Sequence, residues 1–111
     1  MVSPRQVSPQ SVVKAVMQVD PSLAVEEGRP GAMMVAAARG HVVLHIAPST
    51  LANCQADIAR LLPGYRPAPH DGTTWWTEAW APWGPWGEAG VAVALSLAAT
   101  LDGTCLVEDG H

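Results

Sequence analysis

All five tryptophans of this 111-residue chain fall within twelve consecutive positions, Trp75 to Trp86, and the sequence has no phenylalanine and one tyrosine. Nearly all aromatic volume therefore falls in the stretch "TTWWTEAWAPWGPWG", Thr73 to Gly87, and a core built elsewhere has to be mainly aliphatic. The first half has the β-branched and aromatic density of a strand. Alternation puts Trp75, Thr77 and Ala79 on one face and Trp76, Glu78 and Trp80 on the other. The second half cannot continue a regular strand, because Pro82 and Pro85 each lack an N–H. Buried indoles also need acceptors for their N–H groups. Trp75 and one further tryptophan are expected as core filler. Two or three of Trp76, Trp80, Trp83 and Trp86 are expected to line a surface or cleft.

Nearly half of the residues (49%) are hydrophobic and 14% are charged, a folding composition. The length suits a single domain over residues 8–111, behind a flexible leader over 1–7. So little charge gives thin polar cover, which favours a partner or self-association. Net charge is −4 and the six basic residues are scattered. Phosphate binding needs a basic patch, so nucleic acid is set aside. The start "MVSPRQVSPQ" lacks the basic and apolar regions of a secretory signal. The longest apolar run, Ala89 to Leu101, falls short of the ~20 residues that cross a bilayer. A soluble cytoplasmic protein without membrane contact is expected, with Cys54 and Cys105 as free thiols.

Ser8 and Pro9 supply the cap and first position of a helix over 9–19, with Val12, Val13, Val16 and Met17 on its apolar face and Pro21 past its end. "SLAV" suggests a short strand. "AMMVAAARGHVVLHIAPS" reads as a β-hairpin turning at Arg39-Gly40, with Val42, Leu44 and Ile46 on one face and His41, Val43 and His45 on the other. "STLANCQADIARLLPG" has a helical stripe of Leu51, Cys54, Ile58, Leu61 and Leu62. "GEAGVAVALSLAATLDG" is a second strongly apolar helix stopped by Gly103, and "TCLVED" a final strand. The order α-β-β-α-β-α-β predicts a single-domain α+β two-layer sandwich. It would hold a mostly antiparallel sheet of four or five strands and about three helices, as a ferredoxin-like relative.

His41-x-x-x-His45 has metal-like spacing only on a helix. On a strand the rings stand ~13 Å apart, so no metal is expected, and Cys54, His70, Cys105 and His111 have no ligand spacing either. Cys54 lies on an apolar stripe and reads as a core thiol. His70, Asp71 and Glu78 are the best acid–base group, although His70-Asp71-Gly72 is also an ordinary turn. Glycine-rich phosphate loops and nucleophile elbows do not occur, and no cofactor is expected.

Between Ala89 and Leu101 only Ser96 and Thr100 are polar. A helix apolar all round is covered on several sides, and a stripe of Gly87, Gly90, Ala94 and Ala98 permits close approach of a helix or the sheet. Val91, Ala94, Leu95 and Ala98 are the expected interface of a homodimer or heteromeric complex. This helix with the following "LDGTCLVEDG" resembles small bacterial accessory and immunity-type domains over some 20 residues, and the resemblance implies no residue roles. The leading expectation is a non-enzymatic binding or accessory protein acting through Trp76, Glu78, Trp80, Trp83 and Trp86 and through the apolar helix. The alternative is a small enzyme or ligand-binding domain for a hydrophobic or aromatic metabolite, with His70, Asp71 or Glu78 moving the proton.

Overall fold

The computed structural model describes residues 1–37, 40–51 and 74–105. Helix α1 spans Pro9–Val19 and starts where the sequence punctuation sets it. Ser8 Oγ accepts from the Ser11 N–H (3.1 Å), and the Ser8 N–H donates to Ser11 Oγ (2.9 Å), so two orphan donors are satisfied reciprocally. The buried face is Val12, Ala15 and Val16, whereas Val13 and Met17, expected on it, point to solvent.

Strands β2 (Ala24–Glu27), β3 (Met33–Ala36) and β4 (Val42–Ile46) follow, joined as antiparallel hairpins. Between β2 and β3 the chain turns at Arg29-Pro30-Gly31-Ala32, where the Ala32 N–H donates to the Arg29 carbonyl (2.9 Å). Proline at the second position and Gly31 at φ 83° at the third fit a type II turn. The β3–β4 reversal places Gly40 at φ 77°. Strict alternation in β4 fails at a bulge. Ala36 pairs with Val42 and Val35 with Leu44, which leaves Val43 as the extra residue, and Val43, Leu44 and Ile46 are all buried.

Strands β5 (Thr50–Leu51), β6 (Trp75–Trp76) and β7 (Ala79–Trp80) are short, and β1 is Val2–Ser3. Among the described residues two antiparallel sheets result, a four-stranded one ordered β2-β3-β4-β7 and a three-stranded one ordered β1-β6-β5. The predicted single sheet of four or five strands is thus corrected. One two-stranded ribbon, β4–β5 against β6–β7, bends and supplies both sheets. At the bend the Ala47 N–H donates to the Glu78 carbonyl and Thr50 pairs with Trp76, so Pro48 and Ser49 oppose Thr77 alone. A proline in the longer arm of a bulge forfeits no ladder bond.

Residues 1–7, expected as a loose leader, instead hold β1. Val2 pairs with Trp76 and bridges to Thr104, and Val2, Ser3 and Val7 are buried. Two helices occur among the described residues, where about three were predicted. Thr50–Leu51, the predicted start of the middle helix, is strand with Leu51 exposed, and the rest of that helix lies outside the described residues.

Helix α2, Pro85–Thr100, lies over β4 and against α1, and Ser96 Oγ donates to Gln18 Oε1 (2.9 Å). Its glycines make the close approach possible. A Cβ on Gly90 would stand 1.7 Å from the Val43 carbonyl oxygen, and one on Gly87 1.7 Å from that of Pro82. The helix ends in a Schellman arrangement, with the Gly103 N–H donating to the Ala98 carbonyl (2.8 Å). The left-handed position belongs to Asp102 (φ 55°) rather than to the expected Gly103. Gly103 is needed for space, since its Cβ would meet the Val2 carbonyl oxygen at 2.5 Å. The core between these elements is aliphatic, centred on Val12, Val16, Val35, Val43, Val93 and Leu97.

Candidate functional site

The ribbon bend is pinned from inside. Thr77 is 1% exposed, and its Oγ1 lies 2.7 Å from Ser49 Oγ, which also accepts from the Val7 N–H (3.1 Å). The Thr77 N–H donates to the Met1 carbonyl, and the Met1 amino group donates to the Thr77 carbonyl (2.7 Å). Burial pushes that amine below its usual range, opposed by electrostatic interaction with the side chains of Cys105 and Glu78. With Thr77 fixed inward, its neighbours Trp76 and Glu78 reach one cleft. There the Trp76 indole N–H lies 3.4 Å from Glu78 Oε1 as a long hydrogen bond.

This first cleft, about 560 Å³, is walled by Arg29, Pro30, Pro48, Thr50, Trp76 and Glu78. The β2–β3 turn forms its far wall, because Gly31 packs against Pro48. A second cleft of about 490 Å³ adjoins it across Arg29 and Ala47. Its base follows from sheet register. Glu26 pairs with Met34, Met34 with His45 and His45 with Trp80, a row across all four strands on the face away from the core. Glu27 and Arg29 stand at its rim. The sole ion pair among the described residues is Arg5–Asp102, at 3.4 Å, so Glu26, Glu27 and Arg29 have no ion-pair partner there, and Glu78 interacts only at longer range with the Met1 amine.

No tryptophan is fully buried. Trp75 and Trp76 are half-buried, so Trp75 is not the core filler expected, because valine, leucine, isoleucine and methionine fill that space. Trp80, Trp83 and Trp86 are 55%, 72% and 45% exposed. Trp86, in the first turn of α2, stacks on the His41 ring with centroids 4.7 Å apart and planes 9° from parallel. His45 sits instead beside Trp80, so the two histidines serve different surroundings. Groups of three or more His, Cys, Asp or Glu able to share a metal do not occur among the described residues.

Of the expected helix interface, Leu95 is 48% exposed and Val91 and Ala94 are half-buried, whereas Ala98 is buried within the chain. Among the described residues no helix is long and apolar enough to cross a membrane. Cys105 is a half-buried free thiol. His70 and Asp71 lie outside the described residues, as do Cys54 and His111, so of the acid–base group only Glu78 is placed. It is exposed, on the first cleft.

The structure brings Trp76 and Glu78 together and sets Trp80 in the adjoining cleft, while Trp83 and Trp86 follow beyond Pro82 towards α2. Sequence reasoning missed Glu26, Arg29, Met34 and His45. Alternation could have put Glu26, Met34 and His45 on a strand face, but their alignment with Trp80 depends on β4 pairing with a strand some thirty residues away. No protein-family model, curated protein or solved structure matches this chain.

Proposed function

We propose that this is a non-enzymatic binding or accessory protein, soluble and cytoplasmic, which works through its tryptophan-bearing surface and the outer face of α2. In this reading the fold is a two-layer α+β sandwich and the partner is another protein or a second copy of the chain. One observation carries the reading: Trp80, Trp83 and Trp86 keep about half or more of their surface in solvent, although among the described residues the core holds no aromatic side chain. Large aromatics left outside an aliphatic core are costly in water, and tryptophan is enriched where interfaces draw most of their affinity. Leu95 adds apolar surface on the helix that follows.

Native mass spectrometry of the untagged protein tests this, together with the variants Trp80→Ala and Leu95→Lys. A defined complex or dimer that dissociates in the variants, with folding unchanged, is the expected result. A bare monomer at every concentration and from its own host overturns it.

The cleft joining Trp76, Glu78 and Arg29 favours a second reading, a pocket for a small apolar or aromatic ligand. Under it Trp76→Ala removes binding of a small molecule that co-purifies with the protein, and Glu78→Gln and His70→Ala abolish turnover. Under the first reading His70→Ala leaves function intact.

A further inference from the structure

We infer that the outer face of the four-stranded sheet docks an extended, basic segment of a partner protein, one cationic side chain lying on Trp80 and a second reaching Glu26 and Glu27. The inference rests on the binding-protein reading and names the chemistry of its partner.

The row Glu26–Met34–His45–Trp80 crosses three inter-strand gaps, which at ~4.8 Å each separate its ends by about 14 Å. An extended chain advances ~3.3 Å per residue, so side chains four residues apart on one side cover about 13 Å and meet both ends. The residue midway between them falls over Met34 and His45, and Met34 offers it an adaptable thioether contact. Trp80 presents its indole at the edge strand, where a Lys or Arg can lie against the ring face.

Charge selects the partner. The two adjoining clefts carry Glu26, Glu27 and Glu78 against Arg29 and the half-buried Met1 amine near Glu78, and among the described residues none of the three carboxylates is in an ion pair. The surface is therefore net acidic, on a chain of net charge −4. A two-fold contact with a second copy would set this patch against itself and oppose like charges. Phosphate-bearing partners are repelled for the same reason. A basic segment is steered in and fixed in register.

The test uses the full chain and a ten-residue peptide with Lys at its third and seventh positions and Leu at its fifth, followed by NMR and calorimetry. Binding is expected to move the Trp80 indole N–H and Met34 methyl resonances. It should weaken at least tenfold when both lysines are glutamate, several-fold when they are adjacent, and steeply with added salt. Glu26→Gln with Glu27→Gln, and separately Trp80→Leu, should each weaken it about tenfold, while Trp80→Tyr retains most of it. These are surface positions, and the remaining resonances report that folding is intact.

The inference is overturned if the lysine peptide does not bind, if the glutamate peptide binds as well, or if the shifts gather around Glu88 and Asp102 and ignore the Glu26/Glu27 substitutions. A host partner that instead cross-links only to the Leu95 face of α2 removes this inference and leaves the binding-protein reading standing.

Discussion

The hydroxyl of Thr77 lies in the bend that joins the two sheets, completely enclosed and 2.7 Å from Ser49 Oγ. Thr77→Val keeps its shape but puts a methyl where that oxygen stood. Ser49 retains the Val7 N–H as donor, so the loss is one buried hydrogen bond and some desolvation. Urea unfolding should show a destabilisation of about 1–2 kcal/mol with an unchanged m value. A different residue responds to pH. Asp20 accepts from the Ser22 hydroxyl and then from the Ser22 N–H, and both bonds hold its carboxyl below the ordinary aspartate range. A lowered folded pKa means that the stability it contributes is present above the unfolded value and lost as pH falls through the folded one. In an NMR titration Ser22→Ala should therefore move the Asp20 midpoint upward.

Among the elements, α2 is the most constrained, because Gly90 stands against a backbone carbonyl that cannot swing away. Alanine normally improves a helix by about 1 kcal/mol over glycine. Here the added methyl would sit 1.7 Å from the Val43 oxygen, so the sign reverses. Gly90→Ala should cost about 3 kcal/mol in thermal or denaturant unfolding. Gly28→Ala, which meets nothing within 4 Å, should stay within ~0.5 kcal/mol. The elements also divide by how far their causes lie along the chain. Helix α1 could be read to the residue from Ser8, Pro9 and Pro21, and the β3–β4 hairpin from its apolar runs and Gly40, since these signals are local. The pairing of Trp75–Trp76 with Val2–Ser3 could not, because it answers to a distant segment, and the bulge at Val43 breaks the alternation that the residues of β4 suggest. The site divides likewise. Trp76, Glu78 and Trp80 follow from alternation, whereas Arg29 and Glu26 join them only through the turn at Pro30-Gly31 and the order of four strands.

Across the molecule, the described residues form two sheets of unequal strand length. Strands β1, β5 and β6 are two residues each, whereas β3 and β4 run four and five residues, both line the aliphatic core, and β4 lies under α2. Short ladders with few backbone bonds mean local opening at low free energy. Amide exchange should therefore be faster at Val2–Ser3, Thr50–Leu51 and Trp75–Trp76 than at Met33–Ala36 and Val42–Ile46. Equal protection in both sets would show that the bend transmits the stability of the larger sheet to the smaller. The contact of α2 with β4 has a further consequence, for ancestry. Overall identity decays quickly in a small aliphatic core, where valine, isoleucine and leucine exchange with modest cost. Side chains of hydrogen alone at positions 87 and 90 cannot exchange, because the chain itself fills the space beyond them. Distant kin of this molecule should thus be found by two glycines three apart, just after a pair of prolines and opposite a kinked valine strand, long after the rest of the sequence has drifted past recognition.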